Sequence, residues 1–217
     1  MKLISVEASR VISLASLRTT KGRPFSPQLL GAILDRYKFQ HFPDKVPDPS
    51  ATESINLKVG NWSGIQIDEL SAYNDGIIVA TQAPNSVLDE FLDDLYEFLE
   101  ASFGIDRVPL PVEERHYESG VVVEMDRRIE QKMSFLSGLY RDLAGFYSEY
   151  GYGNSEFRLG GFQVETEATA KAHKSPLPFT FVRRREIPFD VGYWFSTAPL
   201  RTSDHVAVLE NLERQLL

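Results

Sequence analysis

From Lys2 to Leu17 apolar and polar residues alternate loosely, through Ile4, Val6, Ala8, Ile12 and Leu14, which is the rhythm of a strand with one buried face. The polar run Thr19–Pro24 ends it. Ser26 followed by Pro27 predicts a helix start, because a serine hydroxyl accepts from a free backbone N–H and proline presets φ at the first helical position. Leu29, Leu30, Ile33, Leu34 and Tyr37 then share one helical face. Residues 43–53 place three prolines in a polar context and predict a surface connection.

Beyond that connection Ile55, Leu57 and Val59 alternate with Asn56 and Lys58, and after a turn over 60–64 Ile65 and Ile67 alternate with Gln66 and Asp68. This pattern predicts a β-hairpin. Asn74-Asp75-Gly76 supplies a second tight turn into Ile77, Ile78 and Val79, so a three-stranded antiparallel meander is expected. Asn85-Ser86 opens a helix in which Val87, Phe91, Leu95, Phe98 and Leu99 form one stripe, while Asp89, Glu90, Asp93, Asp94, Glu97 and Glu100 cover the other side. Gly104 stops it, and Val108-Pro109-Leu110-Pro111 is expected to be a stiff extended connector.

The second half repeats the logic. A strand is expected over 120–124, then a helix in which Ile129, Met133, Leu136, Tyr140, Leu143, Tyr147 and Tyr150 recur at alternating spacings of four and three. Phe135, Leu139 and Phe146 widen that seam, so packing on a sheet is expected ahead of a two-helix coiled coil. Strands follow over 157–164, with a break or bulge at Gly160-Gly161, then over 178–187 and 191–196. A closing helix from about Ser203 turns Val206, Leu209, Leu212 and Leu216 inward. The class is therefore α+β: an antiparallel sheet of about six strands, arranged as one sheet or as two similar halves, covered by about four helices. Residues 1–217 read as a single domain, with a candidate internal subdivision near 107–112.

Composition narrows the chemistry. There is no cysteine, which excludes disulfides, thiolate metal sites and thiol nucleophiles and points to a cytoplasmic setting. Glu7 and Arg10 interrupt the first apolar stretch before a signal-peptide core can form, and no run reaches the about 18 apolar residues of a membrane span. The net charge is −8, yet residues 1–40 carry seven bases against two acids. An acidic surface repels phosphate backbones at long range, so nucleic acid is not the favoured partner, and no membrane association is expected.

No phosphate-binding loop, dinucleotide fingerprint, nucleophile elbow or paired-histidine helix is present, so no catalytic, cofactor-binding or metal-binding residues are assigned and no cofactor is expected. Three polar groupings stand out. Arg183, Arg184 and Arg185 lie in an expected strand that sets Arg183 and Arg185 on one face and Arg184 on the other; Phe179, Phe181 and Trp194 nearby could stack on bases, and Lys171, His173 and Lys174 could extend a basic groove. Arg201, Asp204 and His205 surround a helix N-terminus, whose free N–H groups and dipole suit an anion, although Thr202 or Ser203 as a cap explains the same letters. Glu114, Arg115 and His116, next to Glu113, gather an acid, a guanidinium and an imidazole. The leading functional expectation is a non-catalytic binding or assembly subunit with a protein partner, another copy of itself included. The alternatives are an enzyme or small-ligand binder using the second or third grouping, and a local nucleic-acid contact through the arginines.

Overall fold

The alternation at the start of the chain produces an eighteen-residue strand, β1 (Lys2–Thr19). In sequence it is followed by α1 (Pro27–Tyr37), β2 (Ile55–Trp62), β3 (Ile65–Ala72), β4 (Gly76–Thr81), α2 (Asn85–Phe103), β5 (Ile105–Pro109), β6 (Arg115–Glu124), α3 (Ser137–Glu149), β7 (Gly161–Val164), β8 (Phe179–Arg183), β9 (Tyr193–Ala198) and α4 (Thr202–Leu216). The computed structural model describes residues 1–19, 26–43, 54–73, 75–109, 115–126, 132, 136–153, 156–166, 177–184, 187–188 and 191–217. The expected features at Asn74, Glu113, Glu114, Lys171, His173, Lys174 and Arg185, and at the start of the heptad, lie outside those residues. The class is α+β, and every strand pair whose register is defined is antiparallel. The strand count exceeds the expected six: eight strands follow one another in sheet order and β5 pairs with β1 off that path.

Contacts divide the chain into two compact units. The larger comprises Val6–Gly120 with Pro199–Ser203, and its strand order is β2-β3-β4-β1-β6. The hairpin expected from alternation forms with Asn56 opposite Ser71 and Asn61 opposite Gln66. Helix α1 begins as its letters predict, with the Ser26 hydroxyl accepting from the Leu29 N–H at 3.2 Å. It buries Leu29, Leu30, Ile33 and Tyr37. Helix α2 buries Leu88, Phe91, Leu92, Leu95, Tyr96 and Leu99, and Gly104 ends it in the left-handed conformation that a residue without Cβ adopts at low cost. Phe91 is the hub of this core, edge-on to Tyr37 at 5.1 Å and to Trp62 at 6.0 Å between ring centroids. The prolines of the expected connector concealed β5: Val108 and Pro109 are paired with Ser16 and Ala15, and a proline at a strand's end leaves the preceding ladder intact.

The second unit comprises Met1–Ser5, Val121–Ala198 and Asp204–Leu217, with strand order β1-β6-β9-β8-β7. Among the described residues its buried apolar side chains are Val121, Val122, Val123, Met125, Phe181, Trp194, Ala198 and Leu209. Strand β7 starts at Gly161, where φ is 147° and an added Cβ would meet the Phe181 carbonyl oxygen at 2.3 Å, so no side chain fits there. The seam expected in α3 is covered only in part: no residue of the helix is fully buried, Leu136, Tyr140 and Leu143 are half-buried, and Leu139, Phe146 and Tyr147 are exposed. The inward face of α4 is also displaced from the apolar stripe. Thr202, His205, Leu209 and Glu213 are buried, with Val206, Leu212 and Leu216 only partly covered. Among the described residues, and apart from β5 and the helical Lys132, each run of the chain, from β1 to α2 and from β6 to α4, passes through strand, helix, three strands and helix. In sheet order the first run reads second, third, fourth, first strand, and the other run has the same order.

Candidate functional site

The helix N-terminus singled out in the sequence is filled by the protein itself. Asn85, the first residue of α2 and 1% exposed, accepts at Oδ1 from the Thr202 N–H (2.9 Å) and from the Thr202 hydroxyl (2.7 Å). Its own backbone N–H donates to Thr202 Oγ1 at 3.2 Å, and its side-chain amide donates to the carbonyl oxygens of Arg10 and Glu118. The first residues of two helices thus satisfy one another, which takes up the Thr202 N–H and the Asn85 N–H.

Arg201 and Arg115, from two different groupings, meet on this unit through Tyr117 and Asp89. The Arg201 guanidinium lies 4.5 Å from the Tyr117 ring centroid and donates to the Tyr117 hydroxyl at 2.7 Å. That hydroxyl donates to Asp89 Oδ1 at 3.1 Å, and Arg115 donates to Asp89 and to Asp93 at 2.6 Å each. Burial works to lower the Arg115 pKa, but the bonds to Asp93 and Asp89 outweigh it and hold the group charged. His116 points to the exposed side of β6. On the same acidic helix Asp94 accepts from Arg36 (2.6 Å) and from the Tyr37 hydroxyl (2.7 Å). Burial raises that carboxyl, and these bonds more than offset it, leaving its pKa below the ordinary value. Three of the six carboxylates of α2 are therefore engaged with the chain's own cations and hydroxyls.

In the second unit Arg183 is 8% exposed, with its guanidinium 5.0 Å from the Trp194 ring centroid and a bond to the Pro188 carbonyl at 3.2 Å. Trp194 stacks on Phe181 at 4.4 Å with 14° between the planes, and both rings are buried. These rings have no face open to a nucleobase, and Arg183 is turned inward rather than toward a phosphate. Arg184 is half-buried beyond the end of β8, where its backbone N–H donates to the Tyr193 carbonyl.

Asp204 is exposed in the first turn of α4, whereas His205 has no exposed surface. Ser196 Oγ donates to the Thr180 carbonyl at 2.6 Å and lies 2.8 Å from His205 Nε2. A hydroxyl has one proton, so with that proton on Thr180 the imidazole must be the donor and carries its proton on Nε2. Residue types of a nucleophile and a base are thus present with the proton placed against that chemistry, in a site closed to solvent. Glu213, two turns beyond His205 on the inward face, holds the Met1 amine and accepts from the Asp126 N–H at 2.9 Å. Among the described residues no three of histidine, aspartate and glutamate are grouped to hold a metal ion.

Burial pushes the His205 pKa down to about 4 from an ordinary 6.5. The unfolded chain therefore binds a proton that the folded chain refuses, and stability falls as pH drops from about 6.5 to about 4, where the loss levels off. The expected contribution is on the order of 3 kcal/mol. Urea denaturation of the wild type and of His205→Phe across this window checks it: the wild type should lose stability relative to the variant toward acid pH, and parallel curves would refute a buried neutral imidazole.

The aromatic-rich heptad helix, which the sequence offers as a ground for a binding or assembly role without naming site residues on it, is α3. Leu139, Phe146 and Tyr150 are 51%, 53% and 69% exposed, and Tyr152 just beyond the helix is 71% exposed. Phe146 stacks on Tyr150 at 6.4 Å, while Tyr147 contacts Tyr152 and Phe157 at 5.2 and 4.9 Å. The heptad gave a signal for an apolar face, but periodicity does not say which element covers it. No family model matches the sequence, and no curated protein matches it. No helix among the described residues is long and apolar enough to cross a membrane.

Proposed function

We propose that the chain is a non-catalytic binding subunit that acts through protein–protein contacts, with the outer face of α3 as its contact surface. The observation that carries this reading is a thirteen-residue amphipathic helix with no buried residue and a contiguous run of exposed aromatic side chains. Contiguous apolar surface on a folded protein costs free energy in water unless a partner covers it. The polar groupings support the same reading, since Arg183 and His205 are buried and satisfied internally while Arg201 and Arg115 are tied to Tyr117 and Asp89. The matched strand order of the two runs supports an origin by duplication of one strand–helix–three-strand–helix unit.

The test compares the wild type with a Leu139→Ser/Phe146→Ser/Tyr150→Ser variant, by light scattering and by affinity enrichment from the native cells. The expected result is a partner or a self-assembly present with the wild type and lost with the variant, whose circular dichroism is unchanged. A strict monomer with the same enrichment profile for both proteins would remove the proposal.

A further inference from the structure

The face of α3 has an electrostatic character as well as an apolar one. Leu139, Leu143, Phe146 and Tyr150 recur at spacings of four, three and four, which places them on one stripe of the helix. At 100° per residue Asp142 and Glu149 lie along one flank of that stripe, seven residues apart, and Tyr140 and Tyr147 lie along the other. Both carboxylates are exposed. Arg141, the one cation in the helix, falls on the opposite side.

This layout discriminates between occupants. Two copies packed antiparallel through α3 would bring like flanks together and set the Asp142 and Glu149 flank of one copy against the same flank of the other, a repulsion added to that of two chains of net charge −8. Two copies packed parallel would face the carboxylates with tyrosines and provide no cation. A helix whose apolar stripe is bordered by lysine or arginine satisfies both the stripe and the carboxylate flank. Resting on the binding-subunit reading above, we infer that α3 receives an amphipathic, basic-flanked helix of another protein.

The experiment titrates the full chain with three synthetic helical peptides of equal length: one with a leucine and isoleucine stripe flanked by lysines, the same stripe flanked by glutamates, and a scrambled control of the lysine peptide. Fluorescence anisotropy should give a Kd at least tenfold tighter for the lysine peptide than for the glutamate peptide, with the gap narrowing as salt rises. Asp142→Lys/Glu149→Lys, two exposed changes that leave the core untouched, should reverse the preference, and Phe146→Ser/Tyr150→Ser should abolish binding of both. No binding, equal binding of the two flanked peptides, or binding of the scrambled control as tight as the lysine peptide overturns the inference. So does an α3-dependent dimer in light scattering, or α3-dependent sedimentation with phosphatidylcholine vesicles, since these identify a second copy or a lipid surface as the occupant. If the peptides fail while affinity enrichment still depends on Leu139, Phe146 and Tyr150, the binding-subunit reading stands and only the basic helix is wrong.

Discussion

Replacing Asn85 with alanine should lower the free energy of unfolding by about 3–5 kcal/mol, the cost of leaving several buried polar groups without partners. The side chain bonds four groups at once: the Thr202 N–H and hydroxyl on one side, and the carbonyls of Arg10 and Glu118 on the other. Alanine removes all four bonds, and water cannot replace them at a position that is 1% exposed. Thr202→Val removes only the hydroxyl and should cost about 1–2 kcal/mol. Because the two residues bond to each other, the double variant should be less destabilised than the sum of the singles. Urea denaturation of the four proteins measures this, and strict additivity, or a loss below about 1 kcal/mol for Asn85→Ala, would show that the two residues are not coupled.

Trp194→Ala should be as damaging, at about 3–5 kcal/mol, through a different mechanism. The indole is 1% exposed and stacked on Phe181, so its removal opens a cavity in a unit with few other buried apolar residues. The same change strips Arg183 of the ring over which its guanidinium lies, leaving a largely buried cation with one face uncovered. Trp194→Phe keeps a flat partner and should recover more than half of the loss. Chemical denaturation together with near-ultraviolet circular dichroism checks both variants. If Trp194→Ala unfolds at the wild-type denaturant concentration, the stack is not what holds β8 and β9 together.

Much of the fold was legible because alternation and helical period depend on one-sided burial, which local sequence expresses directly. The hairpin of β2 and β3, the cap at Ser26 and the stop at Gly104 follow from a few adjacent letters. What was not legible depends on partners far away in the chain. In α4 the apolar letters Val206, Leu209, Leu212 and Leu216 predicted the inward face; Leu209 is buried as expected, but in place of the others His205 and Glu213 are buried. They are tolerated there because Ser196, the Met1 amine and the Asp126 N–H meet them. The strand pattern places Arg183 on a face without saying whether that face is covered, and its burial requires Trp194 and Pro188 from outside its own strand. The heptad of α3 carried the opposite ambiguity, since an apolar stripe records that something should cover it and leaves the identity of that cover open. In the first run the equivalent helix, α1, has its cover within the chain.

That contrast between α1 and α3 has a consequence for how such a chain can change over time. Two stretches with one wiring plan need not both keep their first helix committed to the interior. Where one stretch anchors the molecule by itself, substitutions along the outer side of its counterpart escape the penalty that core changes incur, and that side is at liberty to follow a partner instead. The doubled plan would then work as a division of labour, with one helix holding the molecule together and the other addressing its surroundings.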